Sequence, residues 1–131
     1  MARQYSAEEA ANLALIERLY AECLNKLDDS LVDDFMHPDY IQHNQQHGSG
    51  REPLKGLIRQ IRAENPQSVH DIKRILVDGD MVAAHYHARR YPGDVGWVTV
   101  DLFRIENGKI AEHWDVLQDI DPNRANPADP V

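Results

Sequence analysis

From Ser6 onward the apolar residues fall at Leu13, Ile16, Tyr20, Cys23, Leu24 and Leu27, the spacing of one face of a helix. Ser6 followed by Glu9 is a capping box, in which each side chain satisfies an orphan backbone donor of the first turn. A shorter helix is expected in "DSLVDDFMHPDY", where Leu31, Phe35 and Met36 are apolar and Pro38 ends it. "YIQHN" reads as a short strand and "QQHGSG" as a loop. A third helix follows in "REPLKGLIRQIRAENP", with Leu54, Leu57, Ile58 and Ile61 on one side and Pro66 beyond its end.

The period then changes to two. "SVHDIKRILVDGD" is a strand closing in an Asp-Gly turn, "MVAAHYHARRY" is another, and "PGDVG" is a turn. "WVTVDLFRIENGKIAEHWDVLQD" is a pair of strands joined at Asn107-Gly108, a strong hairpin signal. Helices first and strands afterwards predict an α+β fold, with the helices covering one face of an antiparallel sheet. Residues 1–121 are expected to form a single domain. Residues 122–131, with three prolines in "IDPNRANPADPV" and little apolar bulk, are expected to form a loose tail.

Alternation along the strands sorts the side chains into two faces. One pairing puts His85, His87, Asp101, His113 and Asp115 together with Trp97, Phe103 and Leu117. Val82, Tyr86, Val98, Val100, Leu102, Trp114 and Val116 then make an apolar opposite face. Either the polar face meets water and the helices pack on the apolar one, or the helices close over the mixed face as a pocket and the apolar face meets another subunit. A single bulge would flip one strand in this scheme.

Composition narrows the function classes. The net charge of −8, without a basic stripe, argues against nucleic acid as a partner. One cysteine, Cys23, excludes an internal disulfide and a cysteine-based zinc site. With no long apolar run and no signal-peptide core, no membrane association is expected and the cytoplasm is the expected location. There is no glycine-rich phosphate loop, so no cofactor is expected.

Several residues carry possible chemistry. Asp101, between Val100 and Leu102, needs a partner or becomes neutral. His113 and Asp115 lie within cross-strand reach of Asp101, as a polar network or as an acid-base pair. His85 and His87 form a His-x-His, a spacing that also suits a metal completed by His43 or His113. The order of elements is not that of the all-β barrels in which such a site is familiar, and no metal is expected. His43 and Asn44 end a strand at the pocket mouth, as caps or as substrate contacts, and His47 is expected to be solvated. Trp114 suits dimer or core packing better than substrate stacking.

The helix order, "YIQHN", the helix start "GRE" and above all "VDLFRIENGKIAEHWDVLQ" resemble the SnoaL-like polyketide cyclase branch of the nuclear transport factor 2-like superfamily, over roughly residues 8–120. The resemblance implies a cone-shaped α+β barrel, with three N-terminal helices packed on a strongly curved antiparallel sheet. The concave side would hold a pocket and the convex side would form a homodimer. Ketosteroid isomerases share the superfamily. Laid on this chain, their pocket tyrosine falls on Tyr20, their strand aspartate on Asp101, and their carboxylate base near His43, where the chain has a histidine instead. The cyclases use an aspartate with a histidine as acid-base pair for an aldol closure, which implies Asp115 or Asp101 with His113. The expected site is therefore Asp101, Asp115 and His113 as catalytic residues, with Tyr20, His43, His85, His87, Trp97 and Phe103 lining a substrate pocket. The expected function is cofactor-independent cyclisation or isomerisation of a small carbonyl compound through an enolate. A non-catalytic ligand-binding module is the alternative, and a histidine-metal enzyme a third.

Overall fold

The computed structural model describes residues 3–131. The capping box forms as expected: Ser6 Oγ accepts from the Glu9 amide at 3.1 Å, and the Ser6 amide donates to Glu9 Oε1 at 3.1 Å. Helix α1 runs Ala7–Arg18 and widens into a π-helical turn over Leu19–Leu24, which buries Leu19, Tyr20 and Cys23. A 3-10 turn at Asp29–Leu31, capped by the Asp28 carboxylate, leads into the short α2, Val32–Phe35. Strand β1 starts at once, Met36–Gln42, earlier than its sequence pattern suggests. It carries Pro38 at a sheet edge, where the missing donor costs no ladder bond. Helix α3, Arg51–Glu64, follows. Strands β2 (Val69–Asp78), β3 (Met81–Arg89), β4 (Trp97–Glu106) and β5 (Lys109–Asp119) complete the fold. The β4–β5 turn uses Asn107 and Gly108 at φ 52 and 74, the left-handed pair that a two-residue hairpin requires. Beyond β5 the chain has no helix or strand.

The expectation of α+β holds, with three helices on a sheet of five strands ordered β1-β5-β4-β3-β2. The sheet does not close on itself, and it is mixed rather than purely antiparallel, because β1 pairs parallel with β5. A long crossover through α3, β2, β3 and β4 separates those two strands in sequence, and this permits the parallel direction. Ile16, Leu19, Val32, Phe35, Val77, Val82 and Ile110 fill the core between helices and sheet. No helix among the described residues is long and apolar enough to cross a membrane.

Register decides which side chains enter the interior. In β4–β5, Asp101 faces Asp115 and Phe103 faces His113, as the alternation pattern expects. In β3–β4 the partners have opposite parity: Val82 with Phe103, Ala84 with Asp101, Tyr86 with Thr99. The even residues of β3 therefore point inward. Val82, Ala84, Tyr86 and Ala88 are all buried. His85 and His87 lie on the outer face, which corrects their placement in the pocket. Segment 90–96 sets this offset. Asp94 is buried and accepts from the Arg90 amide and guanidinium at 2.9 to 3.1 Å. Gly96 has φ +64, and a Cβ there would lie 1.9 Å from the Ala88 carbonyl oxygen.

Candidate active site

A cavity of about 270 Å³ lies between the inner face of the sheet, the π-helical turn, α3 and the loop after β1. Apolar walls come from Leu24, Leu54, Leu57, Ile58, Trp97 and Phe103. Asp101, His113 and Asp115 line the same space. A mostly apolar cavity with a few convergent polar groups is the usual form of a small-molecule site.

Asp101 is 4% exposed, and both its oxygens are engaged. The Tyr20 hydroxyl donates to Oδ2, and His113 Nε2 lies 2.9 Å from Oδ1. The π-helical turn brings Tyr20 to this point, a common use of such turns at functional sites. His113 Nδ1 lies 2.7 Å from Gln42 Oε1. The orientation of that amide is fixed twice: Oε1 accepts from the Asn44 backbone N–H, and Nε2 donates to the Tyr40 hydroxyl, each at 3.1 Å. Nδ1 therefore carries a proton, and Nε2 is the nitrogen turned toward the Asp101 carboxyl group. Asp115 is held differently. The Asn44 Nδ2 donates to both its oxygens at 2.9 Å, and Asn44 Oδ1 accepts from the Gln46 amide at 2.8 Å. Asp115 is half-buried and keeps lone pairs toward the cavity. Donor atoms of Asp101, His113 and Asp115 lie within 4.8 Å of one another. That spacing is also one at which the three groups can hold a divalent cation.

The tyrosines around Asp101 remain proton donors. Burial first, and the Asp101 charge second, hold the Tyr20 and Tyr86 hydroxyls well above the ordinary tyrosine range. Burial likewise raises Tyr40.

Of the residues expected in the pocket, Asp101, Asp115, His113, Trp97 and Phe103 line it, and Tyr20 reaches it through Asp101. Three histidines do not. His43 stacks on Trp114 outside the sheet, rings 4.8 Å apart at 2°, with Nε2 2.6 Å from Glu112 Oε2. His85 faces Arg74 and His87 contacts the Val95 carbonyl oxygen at 2.7 Å, both on the outer face. His43 lies just beyond β1, and its neighbours Gln42 and Asn44, one step to either side, are the residues that line the cavity. His47, expected in solvent, is half-buried and lines the cavity mouth. Sequence reasoning missed Gln42, Tyr86 and His70. The parity of 42 with 44 could have found the first. A bulge between Ile72 and Arg74 hides the third.

A family model described as SnoaL-like polyketide cyclase matches residues 14–126. Among solved structures, TsrD from Streptomyces laurentii is 25% identical with a TM-score of 0.68, covering 87% of this chain and 91% of that one. A provisionally assigned polyketide cyclase from Bacillus cereus is 23% identical with a TM-score of 0.74, covering 86% of this chain and 78% of its own. An NTF2-like protein of unknown function from Mesorhizobium loti shares the fold at 15% identity, with a TM-score of 0.72 over 88% of this chain and 97% of that one. No curated protein matches.

Proposed function

The chain belongs to the SnoaL-like polyketide cyclase family, and from that premise we propose that it is an enzyme which forms and quenches an enolate on a small carbonyl compound, leading to aldol-type cyclisation or isomerisation. The observation that carries this reading is the division of labour between the two aspartates. Asp101 is held on both oxygens by Tyr20 and His113, and this cluster is the pole assigned to the carbonyl oxygen. Asp115 is held from one side by a single amide and serves as the base that removes the α-proton. Trp97 and Phe103 supply apolar walls for the carbon skeleton.

The test is exchange of α-protons in β-dicarbonyl compounds in deuterated water, followed by NMR. Asp115→Asn should lower the exchange rate by about 10²–10⁴-fold, the usual value of a positioned base. Tyr20→Phe should lower it less, by roughly tenfold or somewhat more, since Asp101 and His113 remain. Absence of exchange with every compound would leave a ligand-binding module.

We further propose that the chain works as a homodimer through the outer sheet face. Leu76 and Val116 are 66% and 69% exposed there, beside Val100, Leu102 and Trp114. Val82 and Tyr86, which the alternation pattern assigned to that surface, are inside.

A further inference from the structure

We propose that His70 is a second polar pole of the cavity, an acceptor for a hydroxyl group of the substrate, with Asn25 as the residue that positions it. The inference rests on the cavity being a ligand site and goes beyond the enolate chemistry by naming the substrate as a hydroxylated carbonyl compound, phenolic or enolic. His70 lies on β2 and lines the cavity, with its ring centroid 5.0 Å from Tyr86 and 5.7 Å from Tyr20.

Hydrogen-bond accounting fixes its tautomer. Asn25 Oδ1 accepts from the His70 backbone N–H at 2.8 Å, while Asn25 Nδ2 donates to the His70 carbonyl at 3.2 Å. Both ends of the amide are thus assigned, and its oxygen faces His70 Nδ1 at 3.1 Å. Nδ1 must carry the proton, and Nε2 is left with a lone pair. Among the described residues no hydrogen bond uses Nε2. It is also not sealed in: among the described residues, the only enclosed side-chain nitrogen or oxygen without a partner is the Thr99 hydroxyl. Burial lowers the proton affinity of the ring, against a weaker pull from Asp101, so the lone pair stays free at neutral pH.

The cavity therefore has donors at one end and an acceptor on another wall. His113 and His70 are clamped alike, each by an amide oxygen on Nδ1, but only His113 has its Nε2 engaged by a carboxylate. A ketone alone satisfies the donors and leaves His70 unpaired. A ketone that also carries a hydroxyl satisfies both. A site built around a hydrogen bond discriminates strongly against an analogue that lacks it.

Binding of meta- and para-hydroxyacetophenone, their methyl ethers and acetophenone to the full chain, by calorimetry or NMR titration, tests this. At least one hydroxy ketone should bind about tenfold or more tighter than acetophenone and its own ether. His70→Phe should abolish that preference, so that within this variant the hydroxy ketone binds no tighter than its ether or acetophenone. Ring nitrogen shifts should show His70 of the unmutated protein as the Nδ1–H tautomer, a reading that needs no variant. Asn25→Leu should mix the tautomers, and Asn25→Asp, which keeps an acceptor, should restore both tautomer and preference. Equal affinities, a preference that survives His70→Phe, no binding of any probe, or an Nε2–H tautomer would each overturn the proposal. A hydroxyl preference without α-proton exchange would instead overturn the enolate chemistry and leave His70 in place.

Discussion

An imidazole whose Nδ1 faces an amide oxygen must keep a proton there, and this governs the other nitrogen of His113. Gln42 acts through His113: by holding Nδ1 it turns Nε2 toward Asp101. Gln42→Leu should lower α-proton exchange by about tenfold or more, whereas Gln42→Glu, which still accepts from both N–H groups, should retain most of it. His70 makes a prediction about stability. Its folded proton affinity lies below the ordinary 6.5 because of burial, with Tyr20, Tyr86 and the Asp101 charge around it. Below that ordinary value the unfolded chain binds a proton that the folded chain refuses, so stability falls as pH drops from 6.5 toward the lowered value. Urea unfolding at about pH 7.5 and about pH 5.5 should show this loss, and His70→Phe should show less of it.

At the scale of elements, segment 90–96 is the sensitive connection. Gly96 combines a left-handed φ of +64 with a Cβ position 1.9 Å from the Ala88 carbonyl oxygen. Gly96→Ala should cost roughly 2–4 kcal/mol or abolish folding, measured by chemical unfolding, because backbone rather than a mobile side chain blocks the new methyl group. The same segment explains what could be read in advance and what could not. The capping box, both longer helices and the Asn107-Gly108 hairpin are local, and local chemistry announces them. The Asn107-Gly108 turn alone pairs residues of opposite parity, Glu106 with Lys109 and Ile105 with Ile110, and a bulge between Arg104 and Ile105 then restores equal parity, so that Asp101, His113 and Asp115 share a face as simple alternation expects. Between β3 and β4 the connection is longer, and its buried Asp94 and left-handed Gly96 set the offset through contacts that alternation does not encode. His85 and His87 were misplaced for that reason. The parallel partnership of β1 with β5 is equally non-local, and with it the positions of Gln42, His43 and Asn44.

For the whole molecule, the outer sheet face combines exposed Leu76 and Val116 with a charged rim, including the Arg104–Glu112 pair at 2.9 Å. If this face joins two copies, Val116→Lys should convert the dimer into a folded monomer in sedimentation equilibrium, with an unchanged circular dichroism spectrum. A monomeric wild-type chain at micromolar concentration would count against the dimer. The corrected face is more polar than alternation alone suggests, since His85, His87 and Arg89 share it with the valines. Dissociation should therefore depend on salt as well as on apolar substitution.

The offset at segment 90–96 also behaves like a reading frame. Deleting one residue there would leave every strand intact in composition. It would also exchange the two faces of β3, presenting His85, His87 and Arg89 to the interior in place of Ala84, Tyr86 and Ala88. No partial version of that exchange exists, because side chains alternate in whole steps. Substitutions can revise the cavity one wall at a time, while a change of length there is all or nothing. Burying three ionisable groups at once makes the shortened chain one that should fail to fold, not one that folds with a new selectivity. A circular dichroism spectrum of the deletion variant would tell the two apart.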